Sequence, residues 1–271
     1  MTIKVGIIQA SYGTDPDRNI EKTRKILDEN YRDADVIILP EYSMINVLEL
    51  SPKEVYMLAE DIINSAYLKN LSKISSNLGA YIIAHFIERT NASIKPLSTS
   101  VLIKPDGSWE KLYSKIHLFD AYGYRESDYF TPGDSLSKEI TFRDAKIRIA
   151  ICFDIRFPEL FRIYAVNDAN IIMIHSGWVR GLLKEETLEF LARTRAHENT
   201  VWVVISDHFG EKYVGRSMVI DPYGIKALDL GIGEKYIEYE IDPGMVFEAR
   251  KQIPVIKKSK EVWSITLRTR A

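Results

Sequence analysis

Residues 146–160 read Lys-Ile-Arg-Ile-Ala-Ile-Cys-Phe-Asp-Ile-Arg-Phe-Pro-Glu-Leu, and this stretch decides the fold class. Its apolar part, 147–151, is continuous rather than alternating, the pattern of a strand covered on both faces. Pro158 follows shortly after and suits the first turn of a helix. The reading is therefore strand, tight turn at Cys152, helix. The same kind of apolar run recurs at 5–8, 36–39, 81–84, 171–174 and 201–205. Helical signals lie between the runs. Asp15 and Pro16 open one helix, with Ile20, Leu27 and Tyr31 along a face; Ser51, Pro52 and Glu54 open a second, expected to close near Gly79; Pro158 opens a third, and 184–199 forms a fourth. Strand and helix alternate, which predicts an α/β layered fold. The turns at 105–107 and 221–224 add antiparallel pairing, so a purely parallel sheet is excluded.

The chain has 271 residues, and no repeat, linker or low-complexity tract divides it, so one domain over 1–271 is expected. A net charge of −2 gives no electrostatic basis for binding nucleic acid or an anionic membrane. Only the tail, about 248–271, is basic: Arg250, Lys251, Lys257, Lys258, Lys260, Arg268 and Arg270 stand against Glu248 and Glu261. It is expected to be solvated or to touch a partner subunit. The start shows no leader pattern, and no apolar run approaches the ~20 residues of a bilayer crossing. The single cysteine permits no internal disulfide and fits a reducing compartment. A cytoplasmic location is the expectation. His117, His175, His197 and His208 lack metal-ligand spacing, so neither metal nor cofactor is implied.

Three ionisable residues fall at predicted strand ends. Cys152 occupies the strand-to-helix turn, a placement that exposes a side chain beside unpaired backbone N–H groups. Glu41 follows the apolar run 36–39, and Lys115 follows the strand after the 105–107 turn. Alone, each has an ordinary reading: an inert core thiol and two surface charges. Together, carboxylate, ammonium and thiol form a coherent set for nucleophilic catalysis.

The motifs Leu-Pro-Glu-Tyr at 39–42, Tyr-Ser-Lys-Ile-His-Leu-Phe at 113–119 and Ile-Cys-Phe-Asp-Ile-Arg-Phe-Pro-Glu-Leu at 151–160, in this order, resemble the nitrilase superfamily of carbon–nitrogen hydrolases. The resemblance implies a four-layer α-β-β-α sandwich and a Glu41–Lys115–Cys152 triad acting through a cysteine thioester. It further suggests Glu126 as a second glutamate that positions lysine or substrate, and the Phe153 N–H with the Lys115 ammonium as donors to the oxyanion. Trp178 and Arg180 are candidates for shaping the pocket, Arg180 by pairing with a substrate carboxylate. Asp154, Arg156 and Glu159 read as charge pairs and caps that hold the turn, and Arg193, Arg195, Glu198 and Asn199 as helix-end scaffold. Arg148, Phe153, Thr187 and Leu188 depart from residues common in the family and are expected at or near the pocket.

The implied reaction is hydrolysis of a small linear amide by water, an ω-amide or an N-carbamoyl compound. Nitrile hydrolysis and amide-dependent acyl transfer are alternatives; Phe153-Asp154 stands where nitrile-cleaving members usually carry Trp-Glu. A non-enzymatic scaffold would have no chemical reason to keep the three residues together. Family likeness implies a homodimer or a larger even-numbered assembly.

Overall fold

Side chains alternate between the two faces of a strand, and here both faces are covered, which explains the continuous apolar runs. In a computed structural model describing residues 1–268, the strand Ile3–Gln9 sends Ile3, Val5 and Ile7 into one core and Ile8 into another. Val36 and Ile38 join the first core while Ile37 joins the second. The first core fills the space between two sheets and continues to the helices outside one of them, and the second lies between the other sheet and its helices.

One sheet runs in the order Lys235–Ile241, Ile3–Gln9, Val36–Ile38, Tyr81–Arg89, Leu97–Ile103, Trp109–Ser114, with Glu60–Asp61 added to Tyr81–Arg89. The other runs Lys226–Asp229, Met218–Ile220, Trp202–Asp207, Ile171–Ser176, Ala145–Ile151, Ile140–Phe142. Each has a parallel centre and antiparallel flanks, so both hairpin expectations hold. Helices Pro16–Asn30 and Ala66–Leu78 cover the first sheet through Ile20, Leu27, Leu68, Leu71 and Ile74. Pro158–Val166 and Lys184–Asn199 cover the second through Leu160, Phe161, Leu188 and Ala192. The result is the α-β-β-α sandwich.

One sequence expectation needs correction. The segment opened by Ser51 is two helices, not one. Pro52–Leu58 ends after two turns, Glu60–Asp61 pairs with Glu88 and Arg89, and Ala66–Leu78 begins afresh. Asp61 Oδ1 accepts the N–H groups of Ile63 and Asn64, and Ser65 Oγ accepts that of Leu68 at 2.9 Å, so a turn and a new cap interrupt the helical period.

The basic tail folds back on its own chain. Ile256 of the helix Val255–Val262 is buried where that helix packs on Pro158–Val166 and Lys184–Asn199, with Ile265 and Leu267 packed against the same core cluster. Trp263 remains exposed, and Arg270 lies outside the described residues. Among the described residues no helix is long and apolar enough to cross a membrane.

Candidate active site

The carboxyl ends of the central strands of both sheets meet at one place. Ala145–Ile151 ends at Cys152, whose φ of +43° is left-handed, a conformation that costs a non-glycine residue about 1–2 kcal/mol. The short 3₁₀ turn Cys152–Arg156 follows, and the Phe153 N–H lies in its first turn, where intrahelical acceptors are lacking. Asp154, fully buried, anchors this turn. Its carboxylate accepts the Ile151 N–H at 3.0 Å and the Tyr113 hydroxyl at 2.9 Å, so it holds the turn as the sequence suggested.

Glu41 arrives from the other sheet, just past Val36–Ile38. Its N–H donates to Ser176 O at 3.2 Å, tying the two sheets together at the site. Lys115 follows Trp109–Ser114; its N–H donates to Ser98 O and its carbonyl accepts the Gly133 N–H at 2.7 Å. A Cβ on Gly133 would stand 2.2 Å from Ser114 O, so only glycine permits this strap beneath the lysine. Glu126 opens the 3₁₀ turn Glu126–Asp128.

The side chains converge. Lys115 Nζ donates to Glu41 Oε1 at 2.8 Å and to Glu126 Oε1 at 2.9 Å, and all three are at most 1% exposed. The Cys152 thiol lines one pocket with the Glu41 carboxyl, Lys115 and Gly177. Gly177 is needed for close approach: a Cβ there would meet Glu41 Oε2 at 3.1 Å and the Tyr42 and Tyr213 rings at 3.2 Å. Burial raises the Glu41 carboxyl to about 7 against the pull of Lys115. Burial pushes the thiol well up, with Glu41 adding to it and Lys115 opposing. Burial also works against the Lys115 ammonium, but Glu126 and Glu41 outweigh it and hold the pKa well above the ordinary lysine value. The cluster thus contains a thiol that ionises only with help, a carboxyl poised near neutrality to take its proton, and a fixed cation beside both.

Phe153 and Trp178 line the pocket over Cys152, as expected. Arg180 does not. Its Nε donates to Gly210 O at 3.1 Å and its guanidinium leans toward Glu185, so it lines only an outer vestibule. The cations at the pocket wall are instead Arg156 and Lys184, which sequence reasoning missed. Arg156 makes none of the charge pairs expected of it; its guanidinium carbon sits 5.0 Å from the Trp178 ring centroid. Tyr42 was also missed, though it adjoins Glu41; its hydroxyl donates to Glu126 Oε1 at 2.9 Å. Among the departures from family pattern, Phe153 reaches the pocket, as do Gly177, Trp178 and Val179 of the segment 175–181, which also differs from the common patterns. Arg148 pairs with Glu139, Thr187 Oγ1 bonds Leu183 O, and Leu188 is buried under the helix. Arg195 bonds Ile155 O at 2.8 Å and Glu198 at 2.7 Å, the scaffold role expected.

The sequence profile of the carbon–nitrogen hydrolase family matches residues 4–251. The chain belongs to this family. This carbon–nitrogen hydrolase is 29% identical to the omega-amidase NIT3 of Saccharomyces cerevisiae, over 95% of this chain and 93% of that protein. It is 32% identical to the deaminated glutathione amidase of Escherichia coli O157:H7, over 55% of this chain and 56% of that protein. A crystal structure of a carbon–nitrogen hydrolase from Helicobacter pylori superposes with a TM-score of 0.86 at 22% identity, covering 95% of each chain. The protein is thus a hydrolase of the nitrilase superfamily, acting on carbon–nitrogen bonds other than peptide bonds.

Proposed function

We propose that this carbon–nitrogen hydrolase cleaves a small linear amide, an ω-amide or an N-carbamoyl compound, through a thioester on Cys152. The observation that carries the reading is the convergence of Cys152, Glu41 and Lys115 in one buried pocket, with the nucleophile in left-handed backbone at a strand end. The amidase names of the relatives and the Phe153-Asp154 pair favour amide over nitrile.

Glu41 takes the thiol proton as the sulfur attacks the carbonyl carbon, and the carbon–oxygen π pair moves onto oxygen. The Lys115 ammonium and the Phe153 N–H meet that oxyanion. Glu41 then returns the proton to the departing nitrogen, the carbon–nitrogen bond breaks, and ammonia or an amine leaves. In the second half Glu41 takes a proton from water, hydroxide adds to the thioester, and the carbon–sulfur bond breaks to give the acid and restore the thiol. Glu126 holds Lys115 on station. The same proposal includes a homodimer or larger even assembly, to be read by sedimentation; a fully active monomer at micromolar concentration would count against it.

Intact mass after acid quench tests the reading. The wild type mixed with a good amide should carry one acyl adduct, and Cys152→Ala none. Glu41→Gln should lose turnover yet load slowly from an activated ester. Near-normal amide hydrolysis by Cys152→Ala would refute the mechanism.

A further inference from the structure

Asp207 closes the strand Trp202–Asp207 with its side chain fully buried, one hydrogen bond away from the catalytic pocket, and neither half-reaction gives it a task. Its Oδ1 accepts the Trp178 N–H at 2.8 Å. Its Oδ2 has no hydrogen-bond partner, and nor has Ser176 Oγ, its equally buried register neighbour on Ile171–Ser176. Among the described residues no lysine, arginine or histidine comes within ion-pair distance of the carboxyl. Ionised, it would be a buried charge with no counter-ion and no donor on one oxygen, a state the interior penalises heavily. A proton on Oδ2 removes the charge and leaves Oδ1 free to accept. Burial accordingly holds the Asp207 carboxyl well above the ordinary aspartate value. The ionisable groups that feel it are Glu41, Cys152 and Tyr213, on three different segments, and all are acids.

The bond to Trp178 holds a wall of the pocket. Trp178 is fixed from both sides, its N–H by Asp207 and its carbonyl by the Val214 N–H at 2.9 Å. Two residues earlier the Ser176 carbonyl accepts the Glu41 N–H at 3.2 Å and the His208 N–H at 2.8 Å. Gly177 between them lines the pocket with Glu41 and Cys152. Asp207 is anchored in turn: its N–H donates to Ser217 Oγ at 2.8 Å, and the Ser217 N–H donates to Gln9 Oε1 of the other sheet at 2.7 Å. Glu41 and Cys152 must each carry negative charge during the cycle. A further anion at Asp207 would disfavour both charged forms, whereas a neutral acid accepts the same N–H without doing so.

We propose that Asp207 is a positioning residue which, as a neutral acid, fixes Trp178 and with it the Gly177 wall of the pocket while placing no negative charge beside Glu41 and Cys152. The inference rests on the thioester reading above and adds to it a group that never touches substrate. Asparagine keeps the acceptor oxygen and sets NH₂ in place of the acid hydroxyl; leucine keeps the size and removes the acceptor.

Asp207→Asn should keep kcat within about threefold and leave the acid limb of kcat/KM at the wild-type midpoint, because no charge is removed. Asp207→Leu should lower kcat by about 10–100-fold with KM changed by less than about threefold, as the base loses its place. Asp207→Ala gives the same reading where the leucine variant does not fold. A midpoint lowered by about half a pH unit or more in Asp207→Asn, or loss of its fold or activity, overturns the neutral acid. Normal kcat without the acceptor overturns the positioning role. Urea unfolding reads the proton without turnover. The folded state keeps a proton that the unfolded chain, with an ordinary aspartate, has released, so wild-type stability falls relative to Asp207→Asn as pH rises. Between about pH 5.5 and 7.5 the folded-to-unfolded ratio should lose about tenfold per pH unit against that variant. An equal pH dependence in the two proteins overturns the proposal even where hydrolysis stands; a wild type inert toward amides, with this slope intact, counts against the thioester reading alone.

Discussion

The Tyr42 hydroxyl lies 2.9 Å from Glu126 Oε1, so the residue directly after Glu41 grips the carboxylate that flanks Lys115 on another segment. Glu126 Oε2 is occupied too, accepting the Phe119 N–H at 2.6 Å. A glutamine there must present its NH₂ either to Phe119 N–H or to Tyr42 and Lys115, and each choice sets donor against donor. Glu126→Gln is expected to keep the fold while lowering kcat on the order of 10²-fold, with KM changed by less than about threefold, because a displaced ammonium matters most when the oxyanion forms. Steady-state kinetics on the amide substrate checks this; unchanged kcat would return Glu126 to an ordinary buried ion pair.

The rate should depend on pH through the coupled Glu41–Cys152 pair. The base form of Glu41 is required, and burial raises its carboxyl to about 7. kcat/KM should therefore fall as pH drops below about 7 and level off above it. Lys115 stays charged well above the ordinary lysine range, so no alkaline loss is expected from it near neutrality. The rate of Cys152 alkylation by iodoacetamide should follow the same acid limb, and the limb should vanish in Glu41→Gln. A flat profile from pH 5.5 to 8 would remove Glu41 from the role of base.

Stability should respond to acid through buried groups of opposed sense. His175 and His208 are buried, and burial lowers each from 6.5 to about 4; His85 lies well below its ordinary value for the same reason. Each of these histidines accepts a proton on unfolding before it can do so folded. The stability it contributes is complete above pH 6.5 and is lost as pH falls toward the folded value, about 1.4 kcal/mol apiece one unit below 6.5. Glu41 acts in the opposite sense between 4.5 and about 7, where the folded state holds the extra proton, and so does Asp207, whose buried carboxyl lies well above its ordinary value. The three histidines are thus set against two buried carboxyls, and wild-type stability in urea unfolding should change by less than about 2 kcal/mol between pH 7.5 and 5.5. Relative to the wild type, His208→Gln should gain about 1.4 kcal/mol at pH 5.5 over its value at pH 7.5, and an identical pH dependence in the two proteins would show that His208 does not titrate on unfolding.

How legible the site was follows from what kind of information each residue needs. Glu41, Lys115 and Cys152 stand at the ends of apolar runs, and a run fixes where its end lies in an α/β sheet, so their meeting could be read from the chain. The inward turn of Lys184 in place of Arg180 could not. The two differ by four positions in a loop whose path is set by remote partners: Arg180 N–H on Lys212 O at 2.9 Å, its Nε on Gly210 O, and left-handed Leu183 ahead of the helix Lys184–Asn199. Arg156 failed for a related reason. A charged residue beside acidic neighbours in sequence suggests pairing, but Asp154 points into the turn and Glu159 to solvent, which leaves the guanidinium to Trp178. The division at Glu60–Asp61 was hidden because helix caps and a two-residue strand carry little periodic signal.

Gly177 offers the most local test of the assembled site. It lies between Ser176, whose carbonyl accepts the Glu41 N–H at 3.2 Å, and Trp178, whose N–H donates to buried Asp207 at 2.8 Å. Both neighbours are thus pinned, and the glycine cannot move aside. An added Cβ would press on Glu41 Oε2 at 3.1 Å and on the Tyr42 and Tyr213 rings at 3.2 Å, distances that require neighbours to yield by a few tenths of an ångström. The rings are packed in the core, so the carboxylate gives way first, lengthening its contacts with Lys115 and the thiol. Gly177→Ala is therefore expected to cost about 1–3 kcal/mol of stability as overpacking and to lower kcat by about 10–100-fold as misplacement of the base. A melting curve and steady-state kinetics read the two effects separately. Loss of stability with normal kcat would mean that Glu41 tolerates displacement, and that its position relative to Cys152 is less critical than the 3.1 Å approach implies.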